Sequence, residues 1–318
     1  MSHFVAVTDS PAGDDLSTER AVLAGIHVEK VAWHDESSLG AAIHSADAVM
    51  CMHAPLTSNV IHSLSRCRVI ARFGTGLDNI DLEAAKLVGI PVIGIPGYCT
   101  QEVANHAMAL LLSWNRKVVE YHRFVKENLW NESRHTTGNW ACGPLTRLSQ
   151  QTLGLLGFGQ IGRAVARRAL AFEMKVLVHS HRPDPEAAKG LDIEYTTFED
   201  LLGRSDYVSL HIPLKNETSH LINARTIRLM KRGAVLINTS RGALVDENAL
   251  VEALQEGLLG GALLDVFERA PLPADHAFRT IKNVILTPHV AFYSEDSLME
   301  LRRRAAAAIL GYLGQGPQ

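Results

Sequence analysis

Cysteine is scarce in this chain. The four present, Cys51, Cys67, Cys99 and Cys142, make no C-x-x-C pair, so they read as buried or incidental thiols in a reducing compartment. No apolar run approaches the roughly 20 residues needed to span a bilayer. The start, Phe4-Val-Ala-Val-Thr-Asp9, reads as a first β-strand ending in an acid rather than as a signal peptide. A basic surplus is missing too: 31 Lys and Arg stand against 34 Asp and Glu, a formal charge of −3 that argues against nucleic acid or a membrane surface as partner. The 15 histidines include no H-E-x-x-H, and His179 and His181 alternate on a strand end without a nearby cysteine or carboxylate pair. No metal site is expected, and the cytoplasm is the expected compartment.

What is present is a globular composition, 47% hydrophobic and 20% charged over 318 residues, enough for two domains with sizeable cores. Strand-like and helix-like segments alternate throughout, which predicts a parallel α/β architecture. In the first part, residues 4–8, 28–33, 48–53, 69–73 and 91–95 are short apolar runs, with helical stretches such as 81–88 between them. Residues 102–126 read as one long helix. The tail, 294–311, reads as a helix too short to form a domain, so it is expected to pack back on the N-terminal part. The segment 128–143, with Trp130 and Trp140, is read as a mobile cover, an arm across a dimer, or a surface loop.

The most informative stretch is Gly157-Phe158-Gly159-Gln160-Ile161-Gly162. An apolar strand-like run precedes it, and Arg163–Phe172 follows with helical periodicity. Glycines spaced G-x-G-x-x-G allow a tight turn, approach of a pyrophosphate and close helix–strand packing, with the helix N-terminus facing the phosphates. Six apolar strands in this half end in distinctive elements: Gly157, His179-Ser180, His211-Ile-Pro213, Asn238-Thr-Ser-Arg241, Asp265 and Thr287-Pro-His289. Ligands of open parallel sheets bind beyond the carboxyl ends of the strands, so these elements are expected to converge on one crevice.

Three segments together resemble the D-isomer-specific 2-hydroxyacid dehydrogenase family: Gly157 to Gly162, Asn238-Thr-Ser-Arg241-Gly-Ala-Leu-Val-Asp246, and Asn283-Val-Ile-Leu-Thr-Pro-His289. Ala71-Arg-Phe-Gly74-Thr-Gly76-Leu-Asp78-Asn-Ile-Asp81 and Tyr98-Cys-Thr100-Gln-Glu-Val-Ala-Asn-His-Ala107 extend the likeness over nearly the whole chain. The ending, Pro288-His-Val-Ala-Phe292-Tyr-Ser-Glu295, resembles the branch of the C-terminal-binding-protein corepressors and their bacterial dehydrogenase relatives. The resemblance implies a Rossmann-type doubly wound parallel sheet plus a discontinuous, flavodoxin-like substrate domain. The substrate domain would comprise residues 1–101 and 290–318, the dinucleotide-binding domain residues 102–289, and the assembly would be a homodimer.

Reduction of a 2-keto acid needs a hydride from a nicotinamide, a cation for the carboxylate and carbonyl, and a proton donor for the alkoxide. Arg241, just past an apolar strand, is the expected cation, because a guanidinium is always charged and grips a carboxylate in bidentate geometry. His289 is the expected proton donor, its ordinary pKa lying near operating pH. The resemblance further assigns Arg72, Phe73, Gly74, Thr75 and Gly76 to a loop whose backbone cradles the substrate carboxylate. Phe292 is either a cover on the substrate or a core residue. Gln160 and Ile161 fall at the pyrophosphate, beside Gly157, Phe158, Gly159 and Gly162. Thr100 is a further phosphate or nicotinamide contact, and Pro213, Thr239, Ser240 and Asp265 are cofactor positions, Asp265 at the carboxamide.

In the family a stretch D-V-F-E-x-E-P supplies the glutamate that pairs with the histidine. Here it reads Asp265-Val-Phe-Glu268-Arg-Ala270-Pro271, with alanine in the second acidic place. Three outcomes are compatible with that change: Glu268 or another carboxylate substitutes, the enzyme works with a less basic histidine, or activity is residual. At the end of the second cofactor-domain strand, Ser180 stands where an NAD enzyme carries Asp or Glu. With Ser180, His181 and Arg182 available to a 2′-phosphate, NADP is the expected cofactor and NAD the second choice. The sequence thus predicts an NADPH-preferring reductase of small 2-keto acids such as glyoxylate or hydroxypyruvate. The alternative is a catalytically weak, dinucleotide-sensing partner protein of the corepressor kind.

Overall fold

Apolar residues that alternate along short strands bury both faces of two separate parallel sheets in a computed structural model describing residues 3–130 and 142–314. The chain divides into two units, Met1–Cys99 with Tyr293–Gln318, and Thr100–Phe292.

The first unit runs β1 (Phe4–Val7), α1 (Ser17–Val22), β2 (His27–Lys30), α2 (Glu36–Ile43), β3 (Ala48–Cys51), α3 (Ser58–His62), β4 (Ile70–Arg72), α4 (Leu82–Leu87) and β5 (Val92–Ile93), and is completed by a C-terminal helix, Glu295–Leu313. Its five strands are parallel in the order β2-β1-β3-β4-β5, the flavodoxin-like arrangement. Successive residues of a strand face opposite sides of the sheet. Val5 and Val7 accordingly join one core with Met50, Ala71, Phe73 and the C-terminal helix residues Leu301, Ala305 and Ile309. Ala6, Val49 and Cys51 join the other with Leu39, Ile43 and Val60. Burial pushes the Cys51 thiol up to about 12, which leaves it an inert small hydrophobe.

One polar device ties the C-terminal helix to α1. Arg302 donates from Nε to Glu19 Oε1 at 2.8 Å and from Nη2 to Glu19 Oε2 at 2.7 Å, and its Nη2 also meets the Asp15 carbonyl at 2.6 Å. Glu19 is fully buried and Arg302 is 5% exposed.

The second unit comprises α5 (Thr100–Asn115), α6 (Val118–Lys126), β6 (Thr152–Leu156), α7 (Gln160–Ala171), β7 (Lys175–His179), β8 (Ile193–Tyr195), α8 (Phe198–Arg204), β9 (Tyr207–Leu210), α9 (Ala224–Ile227), β10 (Val235–Asn238), α10 (Glu247–Gln255), β11 (Gly261–Leu264) and β12 (Val284–Leu286). The C-terminal helix is therefore α11. The seven strands are parallel in the order β12-β11-β10-β9-β6-β7-β8. Chain order reverses at β6, the place where doubly wound sheets open a crevice. Leu155, Val178, Ile237 and Leu263 pack under α5 and α7, while Leu156, Leu210, Leu236 and Leu264 pack on the opposite face.

Two expectations are corrected here. The stretch read as one helix over 102–126 is two, because Lys117 takes a left-handed conformation (φ 53°) between α5 and α6. Lys117 Nζ lies 3.6 Å from the Trp114 ring centroid and 3.6 Å from Glu120, a pair of contacts that suits the break. The sheet also has a seventh strand, β8, at its edge; three residues with no fully buried side chain give it almost no apolar signal. Residues 131–141 of the tryptophan-containing segment lie outside the described residues. No helix among the described residues is long and apolar enough to cross a membrane.

Candidate active site

The glycine turn after β6 is shaped by its neighbours. Gly157 has φ +100°, and a Cβ there would lie 2.4 Å from the carbonyl oxygen of His211; one on Gly162 would lie 2.3 Å from the carbonyl of Gly157. Neither position admits a side chain, whereas Gly159 faces open space and serves as the N-cap of α7 without any side-chain cap. The first amides of α7 are therefore offered to whatever approaches over Gly159, and the helix dipole favours an anion there. Thr100 Oγ1 donates to Gln160 Oε1 at 3.3 Å, so two positions sixty residues apart meet at this helix start. Ile161 packs against the core under α7. Phe158 is buried and stacks edge-on with Tyr195 at 5.8 Å, which makes it a core residue. Across the switch point, Pro213 is exposed after β9, and its carbonyl accepts from Thr218 Oγ1 at 2.8 Å. At the end of β10, Thr239 Oγ1 is shielded from solvent with no hydrogen-bond partner. A packed glycine turn, an uncapped helix start and an orphaned hydroxyl fit a bound dinucleotide.

Beyond β7, Ser180 Oγ donates to the carbonyl of Arg182 at 3.1 Å, while the side chains of His181 and Arg182 are exposed. The residues at this strand end, His179, Ser180, His181 and Arg182, include no carboxylate.

Three adjacent strand ends carry the polar residues. After β10, buried Asn238 organises the turn: its Nδ2 donates to the Arg241 carbonyl at 2.8 Å, and its Oδ1 accepts from Ser240 N–H at 3.0 Å. Ser240 Oγ ties the turn to β9 through the Leu210 carbonyl at 2.6 Å. Arg241 Nη1 donates to the Ser240 carbonyl at 2.8 Å. The neighbouring strand β11 ends at Asp265, which is fully buried. Its carboxylate accepts from Thr287 Oγ1 at 2.6 Å, from Val290 N–H at 2.9 Å and from Ala291 N–H at 2.9 Å, and its carbonyl accepts from His289 N–H at 2.8 Å. The carboxylate assigned above to a carboxamide thus anchors its own chain on both sides of His289. That histidine follows β12, has a left-handed backbone (φ 55°), and meets Phe292 edge-on with centroids 6.0 Å apart. Strands β10 and β12 flank β11 in this parallel sheet, so Arg241, Asp265 and His289 follow three neighbouring strand ends on one edge of it.

Glu268, one candidate to replace the missing acid, is already engaged. Its Oε1 lies 3.0 Å from His220 Nε2 and accepts from Glu247 N–H at 3.2 Å. Ala270 is exposed.

In the first unit, the loop after β4 holds the other predicted residues. Arg72 Nε donates to the Met52 carbonyl at 3.1 Å, and Phe73 is fully buried in the core. The amides of Phe73 and Gly74 are spent on the carbonyls of Cys51 (2.7 Å) and Arg72 (2.8 Å). Thr75 is exposed and its hydroxyl donates to the Ile95 carbonyl at 3.2 Å. Two of the amides expected to cradle a carboxylate are therefore already engaged within the chain. Asn238, Gly242, Thr287 and His106 all lie inside the motifs quoted for the family, but sequence reasoning assigned no role to any of them, and each becomes visible only through the contacts it makes.

The profile of the D-isomer specific 2-hydroxyacid dehydrogenase NAD binding domain matches residues 108–291. The chain belongs to this family. A glyoxylate reductase of Korarchaeum cryptofilum is 38% identical over 296 residues, covering 90% of this chain and 87% of the relative. Among solved structures, a D-lactate dehydrogenase from Aquifex aeolicus complexed with NAD and lactic acid superposes with a TM-score of 0.85 at 31% identity, covering 99% of this chain and 100% of the other. An NADPH-dependent glyoxylate/hydroxypyruvate reductase from Sinorhizobium meliloti, in complex with NADP and malonate, gives 0.86 at 28% identity, covering 99% and 95%. The family's enzymes are 2-hydroxyacid dehydrogenases, and the corepressor branch suggested by the residues after Pro288 draws no support from these relatives.

Proposed function

We propose that this protein is an NADPH-preferring reductase converting a small 2-keto acid, of the glyoxylate or hydroxypyruvate kind, to the D-2-hydroxy acid. The observation that carries the reading is the placement of Arg241, Asp265 and His289 at three neighbouring strand ends of the unit that also bears the glycine turn. That unit, Thr100–Phe292, is the proposed dinucleotide-binding domain, and the other the substrate domain. A bound reduced nicotinamide supplies the hydride. Arg241 pairs with the substrate carboxylate and draws charge toward the carbonyl oxygen, as a planar, permanently charged fork can. His289, protonated, gives its proton to the oxygen as it becomes an alkoxide. The Phe292 ring stands perpendicular to the imidazole and presents an apolar wall to the substrate.

Ser180, His181 and Arg182 support NADP over NAD: none of them is a carboxylate that would repel a 2′-phosphate, and the exposed His181 and Arg182 side chains stand ready for it. The exposed apolar side chains of Val118 (53%), Val125 (52%) and Trp130 (50%) on and after α6 support a homodimer that covers them. Four cysteines without a disulfide suit the cytoplasm.

The test is steady-state oxidation of NADPH and NADH with glyoxylate, hydroxypyruvate and larger 2-keto acids. Turnover of the small acids is expected, with NADPH favoured about 10–100-fold in kcat/KM, the worth of one or two charge-assisted contacts. Arg182→Asp should weaken NADPH selectively. Equal efficiency with both cofactors would remove the preference, and tight NADPH binding without turnover of any 2-keto acid would remove the enzyme reading.

A further inference from the structure

The buried Asp265 carboxylate is itself supported from behind, by a side chain that the reaction does not use. His106, on α5, places Nε2 2.9 Å from Thr287 Oγ1 and 3.6 Å from Asp265 Oδ1. The direction of this chain of bonds follows from counting protons. Thr287 has one hydroxyl hydrogen, and at 2.6 Å it goes to the Asp265 carboxylate, which can only accept. The contact to His106 must therefore have Thr287 accepting and His106 Nε2–H donating. His106 is 21% exposed at its side chain and Asp265 is wholly enclosed. The carboxylate's other bonds are the Val290 and Ala291 amides, which hold the backbone directly after His289. His289 sits in a left-handed conformation that a residue with a Cβ adopts only where its surroundings impose it.

We infer that His106 is a positioning residue: its Nε2–H orients Thr287, Thr287 orients Asp265, and Asp265 holds the turn that presents His289. This rests on the reading of His289 as proton donor. A second consequence separates it from that reading, because the Val290 and Ala291 amides should be protected from solvent exchange only while the chain of bonds is intact.

The variants are His106→Leu, which removes the donor; His106→Gln, whose amide nitrogen falls near the Nε2 position; Thr287→Val, which is isosteric and removes the hydroxyl; and Thr287→Ser, which keeps it. Hydrogen–deuterium exchange of the peptide spanning 286–292 and steady-state kinetics with NADPH and glyoxylate are measured on each. His106→Leu and Thr287→Val should speed exchange at 290–291 and lower kcat, each about 10–100-fold, with the KM for NADPH little moved. His106→Gln and Thr287→Ser should recover most of both. Thr287→Val carries the test if the leucine variant fails to fold. Unchanged exchange in both deletion variants would overturn the inference, as would a glutamine variant as damaged as the leucine one. A wild-type protein with no turnover would defeat the reading of the site alone, and the exchange rates would still decide the role of His106.

Discussion

Removing either half of the Glu19–Arg302 pair should unfold the first unit at markedly lower temperature. The pair is a two-bond fork at 2.8 and 2.7 Å between a carboxylate with no exposure and a guanidinium with 5%. In Glu19→Leu the guanidinium keeps the Asp15 carbonyl at 2.6 Å and the exposed Asp15 carboxylate at 3.4 Å, neither of which replaces a buried counter-charge. Leaving a buried charge without its partner costs about 3–5 kcal/mol. The remaining Asp15 contacts argue for the lower end, near 3 kcal/mol, or roughly 10 °C in the melting of a domain of this size. The double variant Glu19→Leu/Arg302→Met removes both charges and should lose less than either single change, since an apolar pair of similar volume escapes the desolvation cost. Scanning calorimetry gives the magnitudes, and hydrogen exchange shows whether the loss falls on α1 and α11 while the second unit keeps its protection. Single variants each costing under about 1 kcal/mol, or a double variant costing their sum, would refute the reasoning.

Three further outcomes can be checked. Gly242→Ala would put a methyl 1.9 Å from the Phe267 carbonyl carbon and 2.3 Å from Glu268 N, both backbone, so the Arg241 turn must move; kcat with glyoxylate should fall about 100-fold while NADPH binding, read by fluorescence, persists. Ala270→Glu should shift the alkaline limb of the kcat/KM profile to higher pH, because a carboxylate beside His289 favours the protonated donor; a limb that stays in place would show that residue 270 does not address the histidine. His211 is lowered from 6.5 to about 4 by burial, its Nδ1 enclosed without a partner although the residue as a whole keeps some exposure. Between those two values the unfolded chain binds a proton that the folded one does not, so stability is full above pH 6.5 and falls as the pH drops toward 4, by about 1–3 kcal/mol. Denaturant titrations across this range should show that slope, and His211→Asn should flatten it.

Much of this fold is legible in the chain because its strands are apolar on both faces and each ends in a glycine or a polar residue. Leu153–Leu156 into Gly157 and Gly261–Leu264 into Asp265 need no tertiary knowledge to be read as buried strands meeting a crevice. Local signals fail where the decisive contact is remote. Lys117 breaks a helix that its apolar neighbours would continue, through a conformation no periodicity announces. Ile193–Tyr195 is a strand only because β7 pairs with it. Glu268 looked free to replace a missing acid until His220, forty-eight positions earlier, was found 3.0 Å away. Asp265 was legible as a site residue, but the direction of its bonds was not, since Thr287, Val290 and Ala291 reach it from the far side of β12.

The membership of α11 in the first unit has a consequence for biosynthesis. Leu301, Ala305, Ala306, Ile309 and Leu313 close one face of a sheet whose strands all precede residue 99. At about 5–20 residues per second a ribosome needs roughly 10–40 s to traverse Thr100–Phe292 before that helix emerges. Through that interval Val5, Val7, Met50 and Ala71 lack their partner layer, and the nascent N-terminal half presents a greasy sheet face to the cell. The intervening unit, contiguous in sequence, can finish folding first, so the strands of the first unit are made before it and completed after it.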